Sequence, residues 1–417
     1  MLDWSKQFNI CCFMDSNEYA ASYTRYEALL AAGVVSELLP DTTGNGAPDS
    51  LTQLQAFHRH VKDWIFGHLG YDLKNELYPL TSTHPDGIAF PNLYFFQPEV
   101  VLLVLPGVVQ IGGWNYQEAD ARKVYDACMR TPITTGGIPP LRRTLQSPFD
   151  HADYTGRVKA LQAHIHRGDC YEINFCREHF LPDIALNPYS LFQRLNAFSP
   201  APFAAFYRLR NQYLACASPE RFVQQTGRQV ISQPIKGTIR RGNSVAEEDR
   251  LKALLRNSAK ERAENIMVVD LVRNDLTPTA SRGSVAVTEL CGIYTFAQVH
   301  HMISTVQAML APGQDFTDII RHAFPMGSMT GAPKLRVMQL IEQYESSKRG
   351  LFSGALGYVT PGGDMDFNVV IRSMLYNASE QYLSFTTGSA ITFRSDPEQE
   401  WEECLLKASA MRKVLEG

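Results

Sequence analysis

Lys236, at the centre of Pro234-Ile235-Lys236-Gly237-Thr238, is the residue with the most reactive chemistry in prospect. Pro234 stiffens the backbone and Gly237 frees it, which suits a tight turn that delivers one side chain inward. A neutral lysine amine is a good nucleophile, but at an ordinary pKa near 10.4 only about 0.04% of it is neutral at pH 7. Desolvation or a nearby cation that lowers the pKa to about 8 raises that share to roughly 10%. Taken alone, a lysine in a Pro/Gly turn is as readily a solvated surface residue.

Paired carboxylates come next. Glu400, Glu403 and Lys407 fall at i, i+3 and i+7 on one face of a C-terminal helical stretch, and Glu261 and Glu264 are again three apart at the start of another. Two Glu-x-x-Glu faces meeting across a cleft would make an oxygen-rich site suited to Mg²⁺; apart, they are solvated faces with intrahelical ion pairs. Phe324 to Lys334 is a small-residue turn feeding a helix, with Thr330 placed to cap it and Pro333 suited to its first turn. Such a turn either caps the helix or binds an anion; it lacks the Walker arrangement. Arg372, in the apolar run Asn368 to Tyr376, needs a carboxylate partner or an anionic ligand. His300-His301 read as core histidines or a general acid, and Glu220 as a surface carboxylate or an acid/base group.

These side chains need a large scaffold. The chain has 417 residues, is 45% hydrophobic and 20% charged, and carries a net charge of −4, which makes an ordinary globular protein of two or three domains or one composite one. Its dispersed basic residues speak against nucleic acid or an anionic membrane as partner. No stretch approaches the ~20 apolar residues of a membrane span. The start, Met1 to Lys6, lacks signal-peptide character, and eight cysteines without CxxC spacing suggest reduced thiols in a cytoplasmic protein. Strand-like runs are expected at 10–14, 93–96, 100–109, 171–175, 204–207, 213–217, 354–359, 366–376 and 383–387. Helices are expected at 50–67, 115–129, 150–167, 247–276, 315–323, 333–345 and 397–415. Thr131 to Pro140 is the best linker candidate. The mixture predicts an α+β protein with large mixed or antiparallel sheets.

Seven motifs in order resemble those of the chorismate-utilising enzymes. They are Gly168-Asp169-x-Tyr171-x-x-Asn174, Ala217-Ser218-Pro219-Glu220, Pro234 to Thr238, Lys260-x-Arg262-Ala263-Glu264-Asn265, Asp270-Leu271-x-Arg273-Asn274-Asp275, Phe324 to Lys334, and Arg349-Gly350 through Gly357-Tyr358. The resemblance runs from about residue 150 to the C-terminus. Before Thr131 only Met14-Asp15-Ser16 is similar, to a strand that in some members borders a tryptophan pocket. It implies an anthranilate synthase-like chorismate-binding fold, with sheets packed face to face and helices outside. Residues 1–145 would form an N-terminal region, open to interleaving with the core, and 146–417 the catalytic domain.

Within the family, anthranilate synthases typically carry Ala where this chain has Lys236, and component I of aminodeoxychorismate synthase carries Lys. Isochorismate and salicylate synthases place a general-base lysine where this chain has Glu172. The resemblance therefore implies the aminodeoxychorismate branch, with an anthranilate synthase component I or a non-catalytic regulatory relative as alternatives. It implies that Mg²⁺ binds Glu264 and Glu403, with Glu261 and Glu400 holding its waters, and grips the ring carboxylate of chorismate. Lys236, kept neutral with the help of that charge, would attack C2 and expel the C4 hydroxyl, protonated by Glu220 with His301 nearby. Ammonia from a separate glutamine amidotransferase subunit would then attack C4. Arg372, Ser328 and the backbone at Gly388 would hold the pyruvyl side chain. Thr238, beside Gly237, would position the ring, Thr330 would join the substrate site, and Lys407 would steady the metal carboxylates. Three departures bear on the pocket: Phe352 where many members have Tyr, Ala390 in the usual Gly-x-Gly, and Cys404 in place of Thr.

Overall fold

Cys11 and Cys12 are neighbours on the strand Ile10–Asp15, both fully buried, yet they belong to different apolar clusters. Successive strand residues point to opposite faces, so this sheet is covered on both sides. In the computed structural model, which describes residues 1–19, 23–42, 46–134 and 143–416, the chain forms two large antiparallel sheets with helices outside them. The Cys12 cluster joins side chains of both sheets, among them Tyr207 and Cys216 of one and Phe66, Phe95 and Phe367 of the other. The Cys11 cluster lies beneath the helices Pro188–Phe198 and Pro397–Glu416.

Among the described residues the first sheet runs, edge to edge, Gly331–Ala332, Glu172–Leu181, Tyr382–Thr392, Ser373–Asn377, Gln212–Ser218, Phe203–Leu209, Ile10–Asp15, Ala28–Ala32, Val100–Leu105 and Val108–Gly113. The second runs Ile235–Arg240, Val299–Met309, Gln229–Gln233, Arg221–Thr226, Met365–Val369, Ala355–Val359, Ile65–Leu69, Leu93–Gln97 and Ser36–Leu38, with Ala286–Thr295 also paired to Val299–Met309. Strands from the first 145 residues pair directly with later ones in both sheets: Ile10–Asp15 on Phe203–Leu209, and Ile65–Leu69 on Ala355–Val359.

Several expected elements divide. The helix expected over 50–67 stops at Val61, where Lys62 turns left-handed at φ 50°, and Ile65–Leu69 becomes a buried strand. Its β-branched and aromatic residues suit that role. The run 100–109 folds at Pro106-Gly107 into a hairpin whose second arm is largely exposed. The stretch 247–276 is two helices, Val245–Asn257 and Ala259–Leu276, parted at Ser258, whose side chain caps the second by accepting from the Glu261 N–H. The run 366–376 breaks between Val369 and Ser373, where the chain crosses from the second sheet to the first. Of the expected linker, residues 135–140 lie outside the described residues. All eight cysteines are free, and no described helix is long and apolar enough to cross a membrane.

Candidate active site

Lys236 sits on the edge strand of the second sheet, at an irregularity in its pairing. Ile235 pairs with Ile303 and Thr238 with His301, and the register shifts between them. A bulge of this kind re-aims one side chain. The Asn265 side-chain amide fixes the bulge by donating to the Lys236 carbonyl at 3.1 Å and the Met302 carbonyl at 3.3 Å. Gly237 has φ +100°, and a Cβ there would stand 3.0 Å from Glu261 Oε2 and 3.1 Å from Met302 Cβ. Only glycine lets the helix Ala259–Leu276 approach this closely.

The amine thus delivered meets a carboxylate. Lys236 Nζ lies 2.5 Å from Glu172 Oε1, with the two side chains 13% and 4% exposed. Burial pushes the Lys236 pKa down, but the negative charges of Glu172, Glu264 and Glu403 outweigh it, and the net shift is upward. The resemblance implied a lysine kept neutral with the help of a metal's charge; without that charge the protein's own carboxylates favour the ammonium.

Glu220 occupies the crossing between the strands Gln212–Ser218 and Arg221–Thr226, which belong to different sheets. It is 4% exposed. Burial pushes its carboxyl up to about 7, against the lowering effects of the Ser328 hydrogen bond and Lys236. A carboxyl that holds its proton near neutrality is equipped to be a general acid. Ser328, expected on the substrate's side chain, donates its hydroxyl to Glu220 Oε1 at 2.7 Å. His301 bonds through Nδ1 to the Thr238 hydroxyl at 2.9 Å. Burial and the Arg372 charge lower its pKa to about 3, so the ring is neutral. It can offer a hydrogen bond but carries no extra proton at neutral pH.

Two residues expected at the substrate make contacts within the protein. Thr330 is fully buried and its hydroxyl donates to the Met326 carbonyl at 3.1 Å. It does not cap the helix Lys334–Tyr344, whose N-cap is Pro333, one position before the expected first turn. Gly388 lies mid-strand opposite Cys176, and its carbonyl accepts from Lys407 Nζ at 2.7 Å. Arg372 is at a crossing rather than in a strand, with φ +52°. Among the described residues its guanidinium makes no ion pair, and burial lowers its pKa. A desolvated cation without a protein carboxylate suits a carboxylate ligand.

The four glutamates meet electrostatically but do not form a closed cage. Among the described residues no three His, Cys, Asp or Glu side chains are close enough together to hold a metal ion. Burial and neighbouring carboxylates raise Glu261 and Glu400, and carry Glu264 up to about 7. Glu403 is drawn to Lys407, 2.6 Å away, which helps to lower its pKa against burial. Glu264 Oε1 is buried without a hydrogen-bond partner, its nearest cation being Lys260 at 3.9 Å. An orphaned carboxylate oxygen among mutually repelling carboxylates fits a hard divalent cation.

Sequence reasoning missed Asn265 and Arg349 as individuals, although both lie in its motifs. Arg349 is buried, pairs with Glu345 at 2.6 Å, and donates to the carbonyls of Met329 and Asn174 at 2.7 and 2.8 Å. It ties the Glu172 strand to the segment bearing Ser328. Lys334 pairs with Asp275 at 2.7 Å and links two further motifs. Phe352 lies in the core, 3% exposed. The Met14–Ser16 strand lines a separate cavity with Arg25, Arg221 and Tyr358.

The sequence profile of the family described as chorismate binding enzyme matches residues 14–413. The chain belongs to this family. It is a chorismate-utilising enzyme, and it is similar to aminodeoxychorismate synthase component 1 of Escherichia coli, 37% identical over 92% of this chain and 86% of that one. It is also similar to anthranilate synthase component 1 of Thermus thermophilus, 32% identical over 84% and 77%. The crystal structure of anthranilate synthase component I from Streptococcus pneumoniae superposes with a TM-score of 0.81 at 26% identity, covering 94% of this chain and 93% of that one.

Proposed function

We propose that this chain is the aminating component of an aminodeoxychorismate synthase, which converts chorismate and ammonia to 4-amino-4-deoxychorismate for p-aminobenzoate synthesis. The observation that carries the reading is the bulge that turns Lys236 inward onto Glu172, within the electrostatic reach of Glu220. The relative named aminodeoxychorismate synthase component 1 supports it at 37% identity. The relatives named anthranilate synthase make the ortho-amination reading the one to test against it.

In this reading Lys236 attacks C2 of the ring, the conjugated double bonds shift, and the C4 hydroxyl leaves with the proton of Glu220. Ammonia then forms the C4–N bond as the bond from C2 to Lys236 breaks. The proton that the new amine sheds returns to Glu220. Its neutral ring lets His301 hydrogen-bond the departing hydroxyl without competing for that proton. Arg372, which makes no ion pair among the described residues, takes the pyruvyl carboxylate, and Ser328 acts through Glu220. Glu264 and Glu403 would hold Mg²⁺, with Glu261 and Glu400 beside them. The ion supplies charge for the ring carboxylate when bound. A glutamine amidotransferase subunit supplies the ammonia, and the protein works in the cytoplasm.

The test is product identity. Purified protein given chorismate, Mg²⁺ and ammonium at mildly alkaline pH is expected to yield 4-amino-4-deoxychorismate by mass, and Lys236→Ala to lose the covalent adduct. Fluorescent anthranilate, or untouched chorismate, would overturn the reading.

A further inference from the structure

An ammonium cannot attack carbon, so Lys236 must lose a proton before the first step. Its Nζ has one hydrogen-bonding carboxylate partner among the described residues, Glu172, at 2.5 Å. Glu172 is held rigidly at the start of Glu172–Leu181, paired with Ala332 on one side and Thr392 on the other. Its other oxygen, Oε2, is buried with no hydrogen-bond partner. Among the described residues Lys236 is thus the one side-chain donor to the Glu172 carboxylate.

We propose that Glu172 is the general base for Lys236. This rests on the aminating reading above. Glu172 takes one proton from the Lys236 ammonium, the freed lone pair forms the N–C2 bond, and the C4–O bond breaks. When ammonia displaces the lysine, Lys236 leaves as a neutral amine and recovers its proton from Glu172, so both residues return to their starting charge.

The rival role for Glu172 is simply to hold Lys236 as an ammonium, and the two roles predict opposite results. The charged groups facing Lys236 are Glu172 on its strand, Glu220 at the sheet crossing, Glu261 and Glu264 on the helix Ala259–Leu276, and Glu403 on the C-terminal helix. Glu172→Gln removes one negative charge, so Lys236 should be acylated faster by acetic anhydride, read by peptide mass. Turnover should nevertheless fall, by about a hundred-fold for a lost general base, with the chorismate KM little changed and the deficit shrinking as pH rises. In Glu172→Ala, which keeps the proposal testable if the Gln variant fails to fold, added formate should restore part of the activity. Equal or higher turnover in Glu172→Gln, a pH-independent deficit, or no rescue by formate would overturn the base. Wild-type protein that makes no aminated product would instead sink the functional reading itself.

Discussion

Glu220→Gln should make the protein more stable and nearly inactive, with the gain in stability growing as pH rises from about 4.5 and full above about 7. In the fold the Glu220 carboxyl is pushed from 4.5 up to about 7, chiefly by burial. In the unfolded chain it titrates near its ordinary value of about 4.3. The folded state therefore binds this proton more tightly than the unfolded state does. The stability that the protonated form confers is complete below about pH 4.5 and declines as pH rises toward 7. A shift of ~2.5 units corresponds to about 3 kcal/mol once Glu220 is ionised, an order-of-magnitude value. Glutamine keeps an oxygen to accept the Ser328 hydroxyl, 2.7 Å from Glu220 Oε1, and cannot ionise. Urea denaturation of both proteins should thus show Glu220→Gln gaining about 2–3 kcal/mol more at pH 8.5 than at pH 5. Turnover should fall by about 10²–10⁴, the usual contribution of a general acid. An equal stability difference at the two pH values would refute the argument that buried charge dominates this residue.

The metal reading predicts that Glu264→Gln weakens Mg²⁺ binding at least about ten-fold by calorimetry; unchanged affinity would place the ion elsewhere. Gly237→Ala forces a Cβ to 3.0 Å from Glu261 at φ +100°, and should cost about 1–3 kcal/mol in urea denaturation. An unchanged midpoint would mean that the Lys236 bulge and the helix Ala259–Leu276 are not in tight contact.

The parts of the site legible in the sequence were those carried by short, contiguous runs. Glu261 and Glu264, three apart, share one helix as expected, but the single helix expected over 247–276 ran through Ser258, the cap that starts the second one. Glu403 and Lys407, four apart, do form the expected ion pair. The missing parts depended on pairing across long separations. Glu172 and Lys236 are 64 residues apart, and no periodicity places them in contact. The helix expected through residue 67 failed because one strand slot beside Ala355–Val359 was unfilled, and Ile65–Leu69 fits it with five buried residues. Tertiary pairing overrode a local helical pattern there. Thr330 had the right type to cap a helix, but full burial gave its hydroxyl to Met326.

In the proposed mechanism the charges around Lys236 hold it unreactive in the resting fold. Glu172, Glu264 and Glu403 all favour its protonated form, and burial alone opposes them. A divalent cation between the two Glu-x-x-Glu faces would weaken the pull of Glu264 and Glu403 and leave that of Glu172 intact. The lysine would then depend chiefly on the one carboxylate that touches it, whose loss of charge is also the act of accepting its proton. Glu264, already near 7, shows how close these carboxyls stand to neutrality when crowded. Activation on this view needs no movement of the Lys236 backbone, which Asn265 clamps. It needs a change of charge among groups that the two sheets and two helices have already brought together.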